Sequence, residues 1–389
     1  MEEKKSFWKK PGVQTVLTSL ICILFGLIAG YIVLLIINPA GAGEAIRTII
    51  LNFLTKPTSR AQIKALGNTL VKTAPLLMCA LSVCFAYKVG LFNIGAAGQY
   101  EVGACACLAL ALIFKAPWWV CMLGAAAAGA VLGLICGALK AYPNVNEVIS
   151  GIMLNWIFLY VTNTVLGKVK ETSSPYTESI TAINKKAVLP TAGLENLFAG
   201  NRNTTIAIIL SVLTAVIVWI VLDKTKFGYE LKATGYNKDA AKYAGMKEKR
   251  NIIVTLIIGG ALAGMGAALL YLTGIEEWSC SQSSVPGMGF NGIAAAFLGC
   301  LNPIGSILSS FFIQHITNGG GYLDKTLYSA QISDLISAII IYLCGFVLFF
   351  KTYMNRRGAK REDTRFAPEP KAEDAKPSDA DSAKGGDAK

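Results

Sequence analysis

The chain has 389 residues, of which 53% are hydrophobic and only 15% charged, with a mean hydropathy of +0.51 and a formal net charge of +12. Soluble domains carry about 25% charged residues, so these values exclude an ordinary soluble enzyme or binding module. The lysines and arginines lie between apolar runs, which assigns the positive charge to membrane topology rather than to nucleic-acid binding.

The apolar residues come in runs of about 20, the length a helix needs to cross roughly 30 Å of hydrocarbon. The predicted spans lie at about 13–37, 67–87, 93–114, 118–140, 147–166, 204–222, 252–274, 290–301, 304–317 and 332–350. The first run is longer than the h-region of a signal peptide and reads as a retained helix. Residues 44–56, with Ile46, Ile49, Ile50 and Phe53 on one side, read as an amphipathic stretch on the outer surface. Asn302 and Pro303 separate the eighth and ninth segments, because proline lacks the amide donor that a continuous helix needs.

Basic residues concentrate in three of the inter-span or terminal segments: four in 1–12, eight in 223–251 and six in 351–365. The positive-inside rule then places both termini in the cytoplasm and the 167–203 loop outside. The expected domains are a cytoplasmic N-terminus (1–12), a transmembrane domain (13–350) and a cytoplasmic tail (351–389). The tail is first basic, then too poor in apolar residues to form a core and so disordered. The expected fold class is all-α: a polytopic helical membrane protein of about ten transmembrane segments in two inverted five-helix repeats. The repeat rests on Gly-Leu-Phe-Asn-Ile-Gly-Ala-Ala-Gly (90–98) and Gly-Met-Gly-Phe-Asn-Gly-Ile-Ala-Ala-Ala (287–296). Each sets Phe-Asn beside glycine, ahead of a small-residue helix. Inverted repeats with interrupted helices are a transporter architecture.

Several polar residues fall inside the spans. Glu101 and Gln99 read as lining a substrate pathway, since intramembrane charge usually faces a bundle interior or a wet cavity. A structural ion pair between Glu101 and Lys72 is the other reading. Asn93 and Asn291 occupy matching places in the repeat, and Asn155 lies in the fifth segment. Such amides suit a neutral polyhydroxylated or nucleobase ligand, but helix-terminal asparagines also serve as caps. Phe92, Trp156 and Phe290 are candidates for stacking on a planar base. His315, the single histidine, reads as an interhelical hydrogen-bonding group. The cysteines read as small apolar packing residues. No phosphate loop, catalytic triad or metal-ligand spacing occurs in the sequence, so any energy source lies in another chain or in an ion gradient.

The inner loop 223–251 carries a distinct signal. Asn237 is a good N-cap, Lys238 to Ala244 fits about two helical turns, and Gly245 suits the C′ stop. Ala240, Ala241 and Ala244 form a small face from which Tyr243 projects. The loop reads either as a docking helix for a partner or as a solvated basic loop.

Five stretches together resemble the ABC permeases of the nucleoside and simple-sugar uptake group, in the family that also holds ribose and branched-chain amino-acid permeases. They are Thr-Leu-Val-Lys-Thr-Ala-Pro-Leu (69–76), the 90–99 motif, Asn-Glu-Val-Ile-Ser (146–150) with Met-Leu-Asn (153–155), the 235–245 loop, and Gly-Phe-Asn-Gly-Ile-Ala through Asn-Pro-Ile-Gly (289–305). The resemblance implies a non-catalytic importer subunit in a bacterial plasma membrane. It implies that Gly235, Asn237, Ala240, Ala241, Tyr243, Ala244 and Gly245 contact a separate ATPase, which binds the ATP. It also implies a second permease subunit, in a heterodimer, and an external substrate-binding lipoprotein. In that group an acidic residue commonly stands where this chain has Ala97, and Glu101 lies one turn further along. The alternative to this reading is an ion-coupled secondary transporter of a small polar solute.

Overall fold

The structure is a computed structural model. It describes the backbone of residues 11–324 and separate positions between 326 and 346, with side chains from residue 21 onward apart from 22. Contacts divide the chain into Met1–Leu348 and Phe349–Lys389. The second unit lies outside the described residues, as do the 1–10 part of the expected N-terminus and most of the expected tenth span, 332–350.

The described residues are helical. In chain order the helices are α1 (Pro11–Ile37), α2 (Ala42–Leu51), α3 (Ser59–Tyr87), α4 (Ala96–Leu112), α5 (Trp118–Ala141), α6 (Glu147–Leu166), α7 (Ile180–Ile183), α8 (Leu194–Leu197), α9 (Ala207–Lys224), α10 (Lys226–Tyr236), α11 (Lys238–Tyr243), α12 (Glu248–Tyr271), α13 (Gly287–Leu298) and α14 (Pro303–Gly320). Helices α1, α3, α4, α5, α6, α9, α12, α13 and α14 coincide with the first nine expected spans. Among the described residues, α3, α5, α6, α9 and α12 are long and apolar enough to cross a membrane, and Ile23–Ile37, α4 and α13 are shorter apolar helices. The chain is a polytopic helical membrane protein.

Glycine and alanine set the packing. Gly129, Gly133 and Gly137 of α5 lie on the backbone of α12 at Gly260, Leu256 and Ile253, and Gly264 lies on Ala125. The pairing runs antiparallel, and at Gly129, Gly133, Gly260 and Gly264 an added Cβ would strike a carbonyl oxygen of the partner helix. Lipid gives little hydrophobic drive between helices, so this close approach, with its dispersion contacts, supplies the association.

Helices α3 and α12 cross at the centre. Gly266 sits on Pro75 and Met78, and Gly259 on Ser82, so these two helices also run antiparallel. Helix α12 packs on α4 and α5, while α3 packs on α13 and α14. Exchanging the two halves of the chain maps one set of contacts onto the other. Equivalent helices that pair antiparallel are what two inverted repeats require. The N-terminal turns of α4 and α13 meet at this crossing, with Gly289 against Ala97.

The outer-facing surfaces are apolar. Leu24, Phe25, Ile28 and Ile32 of α1, Ile149, Met153 and Tyr160 of α6, and Ile209, Leu213 and Ile217 of α9 are exposed. A soluble protein does not leave faces of this kind open.

Helix α13 has 12 residues, which span roughly 18 Å at 1.5 Å per residue. It folds back on α14 as a hairpin, with Ser309 Oγ donating to Ala295 O at 2.5 Å. The turn between them holds Cys300 and Leu301 at φ 53° and 56°. Asn302 then caps α14 by accepting from Ile304 N at 2.9 Å, with Pro303 in the first turn.

One region differs from expectation. The amphipathic stretch forms α2, but Ala42, Ala45 and Ile49 are buried and Ile49 lies against Gly319 of α14. Its apolar face is covered by protein, although Ile50 remains exposed. The 167–203 loop is stitched down. Tyr176 bridges to Ser279, Leu189 N donates to Leu272 O at 2.9 Å, and Asn184 Nδ2 donates to Ala111 O at 3.0 Å and Ala116 O at 2.9 Å.

Candidate functional site

Helix α3 ends at Tyr87 in a turn closed by Gly90 N donating to Tyr87 O at 3.0 Å and Leu91 N donating to Ala86 O at 3.2 Å. Gly90 takes φ +75°, the left-handed position that ends helices in this way and that glycine occupies without Cβ strain. The chain then climbs back along α3. Asn93 is buried, and its Nδ2 donates to Ser82 Oγ and to Gln99 Oε1, each at 2.9 Å. Gln99 Nε2 returns a bond to Asn93 Oδ1 at 3.3 Å. Asn155 of α6 accepts from Gly98 N at 2.8 Å and donates to Ile94 O at 3.1 Å. Asn93 and Gln99 therefore pair with each other, while Asn155 bonds the backbone at the start of α4, and together these expected pathway residues tie α3, α4 and α6. Their hydrogen-bonding capacity goes mainly to one another and to the first turn of α4.

Glu101 is fully buried on the next turn of α4, and neither carboxylate oxygen has a hydrogen-bond partner. The expected alternative, an ion pair with Lys72, is overturned. Lys72 Nζ lies 2.5 Å from Glu276 Oε1 in the segment after α12. That acid became available only because the antiparallel crossing of α3 and α12 brings residue 276 beside α3.

Asn291 does not match Asn93. Helix α13 begins at Gly287, so Asn291 stands inside it and is half-exposed, whereas Asn93 precedes α4 and is buried. The Phe-Asn pairs share sequence but not position relative to the helix start. Phe92 packs on Phe297 at a centroid distance of 6.3 Å, while Trp156 and Phe290 are exposed. His315 Nε2 bonds Ile50 O at 2.8 Å, and Asn52 Nδ2 donates to His315 O at 2.7 Å, which makes this residue a link between α14 and the α2 region.

The 223–251 segment contains two helices where one was expected. Helix α10 is clamped to α9 by the Lys232–Asp223 ion pair. It is held to α12 by Asn251 Nδ2, which donates to Thr234 Oγ1 at 2.9 Å. Helix α11 is shorter. Asn237 caps it by accepting from Ala240 N at 2.9 Å. Gly245, at φ +79°, closes it with Gly245 N donating to Lys242 O and Met246 N to Ala241 O, both at 3.0 Å. The alanine face is not presented whole: Ala241 is buried, whereas Ala240 and Ala244 are exposed. Tyr243 is 94% exposed and Tyr236, which the sequence reading missed, 93%. Gly235 faces inward, against the turn after α3.

The family described as the permease component of branched-chain amino acid transport systems matches residues 65–345. The chain belongs to this permease family. The permease is 33% identical over 337 residues to the guanosine ABC transporter permease protein of Bacillus subtilis, covering 85% of this chain and 92% of that one. It is 32% identical over 339 residues to a nucleoside ABC transporter permease protein of Lactococcus lactis, covering 85% and 90%. It is 29% identical over 315 residues to the glucose ABC transporter permease protein of Haloferax volcanii, covering 75% and 80%. No solved structure matches the permease.

The chain is thus the membrane-spanning, non-catalytic permease subunit of an ABC importer, in which a separate ATPase hydrolyses ATP. The ATPase and a binding protein are the other components that such a system implies.

Proposed function

We propose that this permease carries nucleosides inward across a bacterial plasma membrane, with both termini cytoplasmic. The observation that carries the substrate class is the similarity, over most of both chains, to permeases whose names specify guanosine and nucleosides. Simple sugars are the second reading, favoured by the glucose permease among the relatives.

In this reading Glu101 and Asn291 face the pathway, because both keep unused hydrogen-bonding capacity, and Asn93, Gln99 and Asn155 hold the α4 entrance in shape. Tyr236, Asn237, Ala240, Tyr243, Ala244 and Gly245 form the surface on the ATPase. Ala241 anchors that surface from beneath. The chain itself binds no ATP and no metal, and it works beside a second, different permease subunit and an external substrate-binding lipoprotein. ATP-driven rocking of the two inverted halves opens the pathway alternately.

The test is reconstitution of the complete transporter in vesicles with ATP inside. Labelled guanosine should accumulate, and unlabelled nucleosides should compete better than glucose. Glucose competing better would transfer the assignment to sugars, and uptake driven by an ion gradient without ATP would overturn the reading.

A further inference from the structure

The end of α10 lies directly on the turn between α3 and α4. A Cβ on Gly235 would sit 2.5 Å from Lys88 O and 2.9 Å from Val89 C, and one on Gly90 would sit 3.4 Å from Gly235 O. Two glycines thus bring two backbones into contact with no side chain between them. Backbone-on-backbone contact transmits displacement with little slack, because no rotamer change can absorb it.

What lies on each side of the contact is unequal. On one side, α10 is fixed to α9 and α12 by Lys232–Asp223, Thr234–Asn251 and the close seat of Gly228 on Val221 and Leu222. Helix α10 is thus tied to both α9 and α12. On the other side, the turn runs within a few residues into Asn93, whose amide binds Ser82 of α3 and Gln99 of α4. Beside the contact is a cavity of about 570 Å³ lined by Lys88, Gly90, Phe92, Gly235, Tyr236 and Leu301, among others. The turn therefore has packed backbone behind it and open space beside it, so a push can displace it without a clash.

We infer that the Gly235–Val89–Gly90 contact is the joint through which movement of the 226–245 segment reaches the amide cluster at the start of α4. Gly235 and Gly90 are positioning residues: they touch no cargo and no ATPase, and act through Asn93 and Gln99. This inference rests on the reading of 236–245 as the ATPase-facing surface.

Two measurements on the complete transporter test it. In Gly235→Ala the ATPase should still co-purify at the wild-type ratio, while guanosine taken up per ATP hydrolysed should fall at least about tenfold, within the range of ordinary coupling energies. In the wild type, adding ATP should change amide hydrogen exchange across residues 88–99, and this response should vanish in Gly235→Ala. An unchanged uptake-to-ATP ratio in Gly235→Ala would overturn the joint. If that variant does not assemble, the wild-type exchange decides, and an 88–99 segment indifferent to ATP during active transport would overturn it as well. Failure of the wild type to co-purify with an ATPase would instead remove the docking reading, and the joint with it.

Discussion

Lys72 reaches Glu276 at 2.5 Å, and Glu101, buried in the same bundle, is left with no partner for either oxygen. The two acids therefore have different mutational expectations.

Glu101→Gln removes no hydrogen bond and no ion pair. Thermal stability in detergent should stay within about 1 kcal/mol of wild type, because the near-isosteric amide fills the same space. Guanosine uptake should fall at least about tenfold, the equivalent of 1.4 kcal/mol, if the carboxylate serves the pathway. Wild-type uptake would remove Glu101 from it.

Lys72→Ala should cost little. Both partners are about a third exposed, at 32% and 39%, and pairs with solvent access contribute about 0–1 kcal/mol. Melting temperatures of Lys72→Ala, Glu276→Ala and the double variant would give the coupling directly. A coupling energy of several kcal/mol would show that the pair is shielded from water.

Asn155→Ala strips Gly98 N of its acceptor and Ile94 O of its donor. Leaving such groups unsatisfied costs about 1–3 kcal/mol each. Asn155→Asp keeps the acceptor but sets a carboxylate oxygen against Ile94 O in a buried site, so it should be destabilised as well. A wild-type melting temperature for either variant would contradict this account of the α4 entrance.

Tyr236→Ala and Tyr243→Ala should leave the melting temperature of the permease nearly unchanged, because both side chains are more than nine-tenths exposed and such surface changes usually stay within about 0.5 kcal/mol. The affinity for the ATPase should fall about 30-fold for each, as for an aromatic hot spot of about 2 kcal/mol. Undiminished affinity in the double variant would place the ATPase elsewhere.

Gly260→Ala drives a methyl group into the Gly129 carbonyl and should lower the yield of folded protein sharply. Gly43→Ala, where an added Cβ meets nothing within 4 Å, should be neutral. The comparison separates glycine needed for close approach from glycine that is incidental, and size-exclusion profiles in detergent would read it.

The sequence alone determined where the helices lie. Runs of apolar residues have to become helices in a bilayer, where every backbone amide needs a partner within its own segment, so α1, α3 to α6, α9 and α12 to α14 follow the hydropathy. The ends of α11 were legible for a similar reason: Asn237 and Gly245 act on neighbours three or four residues away, and local chemistry is written locally. Tertiary structure decided the rest. It gave Lys72 to Glu276, closed Asn155 over Gly98 from 57 residues away, turned Ala241 inward, set Asn291 apart from Asn93, and laid Gly235 on Val89. Each of these depends on which helix crosses which and at what height. That choice is made by the summed fit of small-residue surfaces along α3, α5 and α12, a property that belongs to no single segment.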